Sequence, residues 1–380
     1  MSNTLREIAA QLQASDKKVQ LIYAFNGTGK TRLSREFREL IDPKEDIETN
    51  EQADFSNSKV LYYNAFTEDL FYWDNDLDED KERQLNIQPN SFTNRLLSFL
   101  QSQGLDGQIV HRFQQYSNPN ITPYFNDDFS KVSFSLERGG DDSLSKIKIS
   151  KGEESCFIWS VFYSLLEQVI HIRNVVEEGE RETNQFNKIQ YVYIDDPVSS
   201  LDENHLMQLA VDLASLIKKS PLSIKFIIST HDTTFYNFLH NELNSKECFL
   251  LEKLEDQSHS LVKKNGDSNT SFFYHLELKR QLEQAIKEGT IERQHFIFIR
   301  NLYEKTASFL GYPKWSKLLP GNSDENREAY LNRIIQFSSH DSLANLRSTI
   351  LKPEEKQIVN FLLTHLINNY NYWQQEELNE

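Results

Sequence analysis

Two adjacent carboxylates, Asp195 and Asp196, follow the apolar run YVYI in the stretch 191–202 (YVYIDDPVSSLD). Such a short apolar run is typical of a strand buried inside a parallel sheet. Ligands of open α/β sheets bind beyond the carboxyl ends of their strands, and the two carboxylates lie at that place. An apolar strand that ends in Asp-Asp is common, so the interpretation depends on the segments around it.

A glycine-rich stretch, residues 24–31 (AFNGTGKT), lies between a predicted strand and a predicted amphipathic helix. This is the context that a phosphate-binding loop needs, although Ala24 replaces the first glycine of the usual pattern. Lys30 would reach the β and γ phosphates, and the hydroxyl of Thr31 would take a place on Mg²⁺. The backbone N–H groups expected to face the phosphates belong to Asn26, Gly27, Thr28 and Gly29.

Two further polar segments adjoin predicted apolar elements. Ser150, Gly152 and Glu153 precede a strongly apolar helix. They can offer backbone amides and a hydroxyl to a phosphate, but an ordinary helix N-cap is the commoner explanation of this pattern. His231 follows an apolar strand predicted at 223–230. A single histidine at a strand end is more often structural.

Taken in order, these segments resemble the head of ABC-type ATPases, in the branch shared with DNA-repair and chromosome-structure ATPases. The resemblance implies an α/β P-loop NTPase of ABC-ATPase type. It implies that Asp195 and Thr31 lie in the Mg²⁺ shell and that His231 senses the γ-phosphate. Asp196 stands where that family usually has a catalytic glutamate, and its side chain is shorter by one methylene, which favours slow hydrolysis.

The same resemblance implies that the head works as a homodimer or a higher homo-oligomer. Ser150, Gly152 and Glu153 would form the signature that reaches the nucleotide of a second subunit, and Asp202 would lie in a loop that crosses the interface. No clear glutamine loop is present, and Asn64 is nearest in order. The choice between ATP and GTP stays open at this point.

Residues 261–380 show a mainly helical pattern, with helices expected at 272–288, 291–309, 326–338 and 354–373. Arg300 and Glu304 are four residues apart and share a helix face, where a surface ion pair worth ~0.3–0.5 kcal/mol is the ordinary explanation. Together with His340 they could supply a base, an acid and a phosphorane stabiliser for RNA cleavage by the neighbouring 2′-OH. Their spacing alone does not establish that chemistry.

Four stretches are similar to the bacterial tRNA(Lys) anticodon nucleases of the PrrC type. They are residues 300–315 (RNLYEKTASFLGYPKW), 264–269 (KNGDSN), 62–75 (YYNAFTEDLFYWDN) and the phosphate loop with its preceding tyrosine. The likeness extends over nearly the whole chain. It implies an endoribonuclease that cuts tRNA(Lys) in the anticodon loop, on the 5′ side of the wobble base, as a defence against phage.

The family resemblance also carries partners, cofactors and residue roles. It implies a latent enzyme held by a type I restriction–modification enzyme, released by a phage anti-restriction factor and activated through the head. ATP or GTP with Mg²⁺ is the implied cofactor, and a second regulatory nucleotide such as dTTP is compatible with it. Arg300, Glu304 and His340 match the nuclease trio of the family, and Asp267 matches a residue implicated in reading the anticodon. Without the resemblance, Asp267 would be read as a turn-capping residue.

Two other functions remain open at this point. One is a repair-type ABC ATPase whose C-terminal domain binds DNA, and the other is a nucleotide-gated module of a defence complex without chemistry of its own. No cluster in 261–380 has metal-ligand spacing, so any cleavage is expected to be metal-independent and to leave a 2′,3′-cyclic phosphate.

Charge and composition indicate two domains, 1–260 and 261–380. The net charge of −16 falls entirely in the first 260 residues, which hold 26 basic and 42 acidic residues, whereas 261–380 hold 15 of each. The C-terminal part is therefore compatible with a polyanionic ligand. Two cysteines suggest a reducing compartment, and no signal peptide or membrane span is expected, so we predict a cytoplasmic protein.

Overall fold

The described residues form strands and helices up to residue 264 and helices in the C-terminal part of the chain. The computed structural model describes residues 3–43, 54–64, 69–73, 83–137, 143–144, 146–197, 203–243, 246–254, 256–264, 274–321, 323–338, 351–370 and 372. The strands are β1 (Val19–Tyr23), β2 (Val60–Tyr63), β3 (Phe71–Trp73), β4 (Leu85–Ile87), β5 (Ile121–Phe125), β6 (Lys131–Glu137), β7 (Ser143–Leu144), β8 (Tyr191–Asp195), β9 (Lys225–Thr230), β10 (Lys246–Lys253) and β11 (His259–Lys264). The helices are α1 (Leu5–Ala14), α2 (Lys30–Ile41), α3 (Ser91–Gln103), α4 (Asp106–Tyr116), α5 (Lys151–Asn174), α6 (Glu203–Lys219), α7 (Thr233–Glu242), α8 (Tyr274–Glu288), α9 (Gln294–Phe309), α10 (Asp324–Ser338) and α11 (Pro353–Asn369).

The main sheet has the strand order β11-β10-β1-β9-β8-β2, with every neighbouring pair parallel except β10 and β11. All residues of β1 and β8 are buried, because helices or a second layer cover both faces of their sheet. Parallel strands end at one common edge. The carboxyl ends of β1, β9 and β8, which are adjacent in the sheet, therefore bring their following residues together.

One apolar core lies between the main sheet and the first two helices. The apolar face of α1 packs with α2 against the sheet, where Phe37 contacts the rings of Tyr191 and Tyr193. The described core residues from these helices are Leu5, Ile8, Ala9, Leu12, Leu33, Phe37 and Ile41. This packing fixes the direction of α2, whose first residue is Lys30.

A second, antiparallel sheet has the order β3-β4-β6-β5, with β7 paired to β6. Helix α5 contacts both this sheet and the main one. The ring of Phe157 packs on Phe134 of β6, and the ring of Trp159 packs edge-on against Tyr63 of β2. Burial around nearly its whole circumference explains why the helix is apolar on every side.

Within the described residues, α5 is the one helix long and apolar enough to cross a membrane by length and composition. Of its most apolar window, 83% is buried inside the protein. This helix is therefore a core helix of the folded protein.

The C-terminal part forms its own unit of helices α8 to α11 with a short 3-10 helix at Trp315–Leu318. Its core is built around α9, where Ile299, Leu302 and Tyr303 are fully buried. These residues recur at three- and four-residue spacing, so α9 turns one apolar stripe inward and leaves the opposite face polar. The core also receives Leu282 from α8, Ile334 from α10 and Val359, Leu362 and Leu366 from α11.

The structure divides the chain into compact units 1–271 and 272–380. The boundary predicted at 260/261 falls within β11, which pairs with β10 over six residues and therefore belongs to the first unit. For the Asn-, Asp- and Gly-rich segment 104–149 the sequence predicts strands at 131–137 and 145–149. The first is β6, the structure adds α4 and β5, and the short strand β7 lies at 143–144, before the second predicted range.

Candidate functional site

The phosphate loop connects β1 to α2 at the carboxyl edge of the main sheet. Gly27 and Gly29 have φ angles of 82° and 101°, which residues with a Cβ rarely adopt. At Gly29 a side chain would also meet His259, since a Cβ there would lie 3.2 Å from the imidazole Nε2. Both glycines are thus required by the shape of the loop. Asn26 and Gly27 are exposed, and the other loop residues are partly or fully buried.

The buried side chain of Lys30 reaches back across this loop. Its Nζ lies 3.2 Å from the carbonyl oxygen of Ala24, 3.3 Å from Oδ1 of Asn26 and 3.4 Å from Oδ2 of Asp196. A buried ammonium group needs such oxygen partners, because its transfer from water is costly. The phosphates of a nucleotide would offer the same cation stronger partners.

Asp195 ends β8 and is fully buried. Its Oδ1 accepts a hydrogen bond from the hydroxyl of Ser229 on β9 at 2.6 Å, and its Oδ2 is buried without a hydrogen-bond partner among the described residues. Burial raises the pKa of Asp195, while the hydroxyls of Ser229 and Thr31 act in the opposite direction. A buried carboxylate oxygen without a partner suits a cation.

Asp196, the next residue, turns its carboxylate toward His231 and Lys30. The Nδ1 of His231 lies 2.6 Å from Oδ2, and the hydroxyl of Thr230 donates to Oδ1 at 3.2 Å. Burial alone would raise the pKa of Asp196, but the hydrogen bond and charge of His231 and the charge of Lys30 outweigh it and lower this pKa. The carboxylate is therefore held in its ionised form.

These residues fit a nucleotide with Mg²⁺. The loop amides and Lys30 would hold the phosphates, while the Thr31 hydroxyl and the unpartnered Oδ2 of Asp195 would hold the cation. The predicted loop residues, Asp195, Asp196 and His231 thus lie together at one sheet edge.

Ser150, Gly152 and Glu153 have a different setting. Ser150 is the N-cap of α5: its hydroxyl accepts from the N–H of Glu153 at 3.3 Å, and the carboxylate of Glu153 accepts from the N–H of Ser150 at 2.7 Å. This capping box is the ordinary explanation of the pattern. Ser150 is exposed, and its hydrogen bonds with Glu153 are made within its own helix turn. Its role toward a second subunit stays a prediction, and Asp202 lies outside the described residues.

Two contacts of the site are not among the predictions from the sequence. Ser229 directly follows three apolar residues, FII, in β9, and this change to a polar residue in a buried strand is the signal for its bond to Asp195. His259 has no comparable signal. It lies beside Gly29 because β11, which is antiparallel to β10, begins at the sheet edge where β1 ends.

In the C-terminal unit, Arg300 and Glu304 lie side by side on α9. The Nε of Arg300 donates to Oε1 of Glu304 at 2.8 Å, and both side chains remain more than a third exposed. The two predicted residues are thus brought together, in a geometry that an ordinary surface ion pair shares. His340 and Asp267 lie outside the described residues, so their roles stay predictions.

The sheet order, the phosphate loop and the aspartate pair define a P-loop ATPase head, the nucleotide-binding class of α/β protein. In agreement with this class, residues 124–374 match a family described as an AAA domain. A curated relative from Escherichia coli named "Anticodon nuclease" is 55% identical over 399 residues, and the match covers 100% of each chain. The chain belongs to the anticodon nuclease family.

Solved structures of SMC head domains also match. An SMC head domain from Thermotoga maritima is 11% identical, with 66% of this chain and 92% of that one covered and a TM-score of 0.32. An Smc head domain with a coiled coil and joint from Pyrococcus yayanosii is 13% identical at a TM-score of 0.28, and the match covers 43% of this chain and 27% of that one. At such scores these likenesses carry no argument, and the fold rests on the strand order and the family.

Proposed function

We propose that this protein is a latent, nucleotide-activated endoribonuclease that cuts tRNA(Lys) in the anticodon loop, 5′ to the wobble base. The observation that carries the proposal is the 2.8 Å contact between Arg300 and Glu304, in a chain of the anticodon nuclease family. RNA cleavage by a 2′-OH uses a group that transfers protons and a cation that stabilises charge on the phosphate. The carboxylate of Glu304 and the guanidinium of Arg300 provide both groups at one place.

In the proposed reaction the 2′-oxygen of the scissile nucleotide attacks the adjacent phosphorus. Glu304 and His340 are the base and the acid, in either order: one removes the proton of the 2′-OH, and the other protonates the departing 5′-oxygen. The bond from phosphorus to the 2′-oxygen forms as the bond to the 5′-oxygen breaks. Arg300 stabilises the additional negative charge on the phosphorane, and the products are a 2′,3′-cyclic phosphate and a 5′-OH.

The head is the proposed switch. ATP or GTP with Mg²⁺ is the proposed ligand of the phosphate loop, and a second nucleotide such as dTTP is a candidate regulator. The bound nucleotide supplies phosphate oxygens that compete with Asp196 for Lys30, which now lies 3.4 Å from that carboxylate. Loss of the Lys30 contact would leave His231 as the partner of Asp196, and this change of partners supports a role of the pair in sensing the γ-phosphate.

The assembly of the protein is part of the same proposal. Two or more heads would associate so that Ser150, Gly152 and Glu153 of one subunit complete the nucleotide site of another, with Asp202 near the interface. A type I restriction–modification enzyme is the proposed silencing partner, and a phage anti-restriction factor is the proposed release signal. Asp267 is proposed to read the anticodon, and the protein is proposed to act in the cytoplasm.

The test is incubation of the purified protein with bulk tRNA and nucleotide, followed by sequencing of the new RNA ends. New ends confined to the anticodon loop of tRNA(Lys) are expected. Glu304→Gln should abolish them. Glu283→Gln should not, and it is a control because Glu283 is itself 44% exposed and forms an i,i+4 pair with Lys279 at 2.7 Å on α8.

The other outcomes separate the competing functions. Nucleotide hydrolysis that DNA stimulates, without any new RNA ends, would identify a repair-type ATPase with a DNA-binding C-terminal unit. Nucleotide binding without hydrolysis stimulation or RNA cleavage would identify a module that acts only through its partners. Equal cleavage by the wild type and by Glu304→Gln would show that the Arg300–Glu304 contact is an ordinary surface pair.

A further inference from the structure

A pocket of about 550 Å³ opens directly beside Glu304 in the C-terminal unit. Its lining is aromatic where Tyr312 and Trp315 follow α9 and aliphatic where Leu331 and Ile335 lie on α10. The volume lies in the range of pockets that take small organic groups, ~300–1,000 Å³. The proposed catalytic carboxylate therefore borders a cavity of mixed aromatic and aliphatic character.

The aromatic wall is fixed in place by the chain turn that ends α9. Gly311 has a φ of 76°, and the N–H of Tyr312 donates to the carbonyl of Ala307 at 2.9 Å, which reverses the chain beside the helix. The ring of Trp315 then packs against Tyr303 with centroids 6.4 Å apart. Tyr303 is itself buried, and its hydroxyl donates to the carbonyl of Leu362 at 3.0 Å.

An anchored indole that is only half-buried presents a rigid flat surface at low entropic cost. Flat aromatic walls bind flat ligands by stacking, and each nucleobase has a face suited to that contact. The pocket also has a charge suited to nucleic acid: Lys314 lies between the two aromatic residues in sequence, lines the pocket and is exposed. An ammonium group at that place can pair with a backbone phosphate.

We propose that this pocket binds one unpaired nucleobase of the RNA substrate, close to the bond that is cut. The base stacks on Trp315 and Tyr312 and contacts Leu331 and Ile335 on its other side. Bases of a single-stranded loop can be splayed out in this way, whereas bases within a duplex cannot without unpairing. This inference rests on the proposed function and adds to it a means by which the enzyme selects a loop and orients it against Glu304.

The test uses the full chain and an anticodon stem-loop RNA that is 2′-deoxy at the scissile nucleotide, so that binding is measured without cleavage. A series of these RNAs each lacks the base at one loop position. The wild type should bind one of them roughly 5- to 150-fold more weakly, the effect of losing one base–aromatic stack. Trp315→Leu should bind the complete RNA as weakly as the wild type binds that abasic RNA. Its affinity should not fall further when the same base is missing.

Two controls keep this result interpretable. Phe361→Leu removes an aromatic ring that is 48% exposed in the same unit but outside the pocket, and it should behave as the wild type. Tyr312→Leu changes the outer part of the wall, where the ring is 43% exposed, and gives the same readout if Trp315→Leu fails to fold. Trp315→Phe should restore part of the affinity because it keeps a ring.

The binding measurements test the pocket, and the cleavage assay tests the proposed function, so each proposal can be contradicted without the other. If Trp315→Leu and Tyr312→Leu lose as much affinity for each abasic RNA as the wild type does, the pocket does not hold a base. That conclusion is the same whether or not tRNA is cut. If the wild type cuts no tRNA but the variants no longer lose affinity for the abasic RNA, the base-binding role of the pocket is supported and the proposed cleavage is wrong. If the wild type does not bind the stem-loop, the pocket proposal is overturned as well.

Discussion

The Nδ1 atom of His231 lies 2.6 Å from the Oδ2 atom of Asp196, across the carboxyl ends of two adjacent strands. The backbone N–H of His231 adds a bond to Oδ1 at 3.2 Å. Asp196 adopts a φ of 53°, a left-handed conformation that aspartate and asparagine tolerate better than most residues. The carboxylate of Asp196 is thus paired with an imidazole at the sheet edge where the phosphate loop lies.

Replacing Asp196 by Asn tests what this pairing does. Asparagine tolerates the same φ, so the fold should be preserved, but the amide cannot accept a proton as a base. Nucleotide hydrolysis should fall by ~10²-fold or more, while nucleotide affinity stays equal or rises because Lys30 loses a charged competitor. Parallel measurement of hydrolysis rate and nucleotide Kd checks this, and unchanged hydrolysis would remove Asp196 from the reaction.

Lys30→Ala should abolish nucleotide-driven activation of RNA cleavage. The change removes a buried cation beside the phosphate loop, and among the described residues it leaves His231 as the ionic partner of Asp196. The exposed pair of Lys218 and Glu242, 2.9 Å apart, supplies the control Lys218→Ala, which should respond to nucleotide as the wild type does. A Lys30→Ala protein whose cleavage still rises with nucleotide would contradict the assigned loop function.

Substitutions of Ser150 test whether this residue is only a helix cap or also contacts the nucleotide of a second subunit. Ser150→Ala should lower the free energy of unfolding by ~1 kcal/mol through loss of the cap, whereas Ser150→Asp should keep the cap and the stability. An added carboxylate repels phosphate, so Ser150→Asp should lose nucleotide-driven dimerisation and activation, as should Ser150→Arg. Light scattering with and without nucleotide measures this, and full activation of Ser150→Asp would leave Ser150 as a cap alone.

The chemistry of cleavage predicts the ends of the product. Because the proposed nucleophile is the 2′-OH of the RNA, the cut should leave a 2′,3′-cyclic phosphate and a 5′-OH, and a 2′-deoxy scissile nucleotide should block it. In a preparation that is already activated, and so no longer depends on the head, EDTA should leave cleavage intact. A 5′-phosphate, sensitivity to EDTA, or parental activity of His340→Ala would each refute the assignment.

We expect the stability of the head to fall at acid pH because of His259. Burial lowers its pKa, the charges of Arg32 and Lys253 lower it further, and its contact with the backbone of Thr28 opposes them. The unfolded chain therefore binds this proton more readily than the folded one, and stability falls as the pH drops below ~6.5, the ordinary pKa of histidine. His259→Gln should reduce the fall in Tm between pH 7.5 and 5.5. An unchanged slope would assign the acid sensitivity to other groups.

The local part of the nucleotide site could be predicted from the sequence, because the phosphate loop forms from consecutive residues between a strand and a helix. The contact of Asp196 with His231 could not, since it depends on the register that sets Asp195 opposite Ser229. Helix α4 was missed because polar residues dominate its neighbourhood, although Ile109, Phe113 and Tyr116 recur at helical spacing and are buried. The pocket beside Glu304 requires α10 to pack beside the end of α9, and the apolar pattern of neither helix specifies that placement.

Strand β11 also determines how the two units can be separated. A fragment that stops at residue 260 would keep two of its six residues and leave most of β10 with unpaired N–H and C=O groups. A bare edge of this kind, with Phe249 and Leu251 beside it, is a template for aggregation. A fragment that ends after Ser271 retains the whole strand, so it is the one we expect to be purified as a dispersed, nucleotide-binding head.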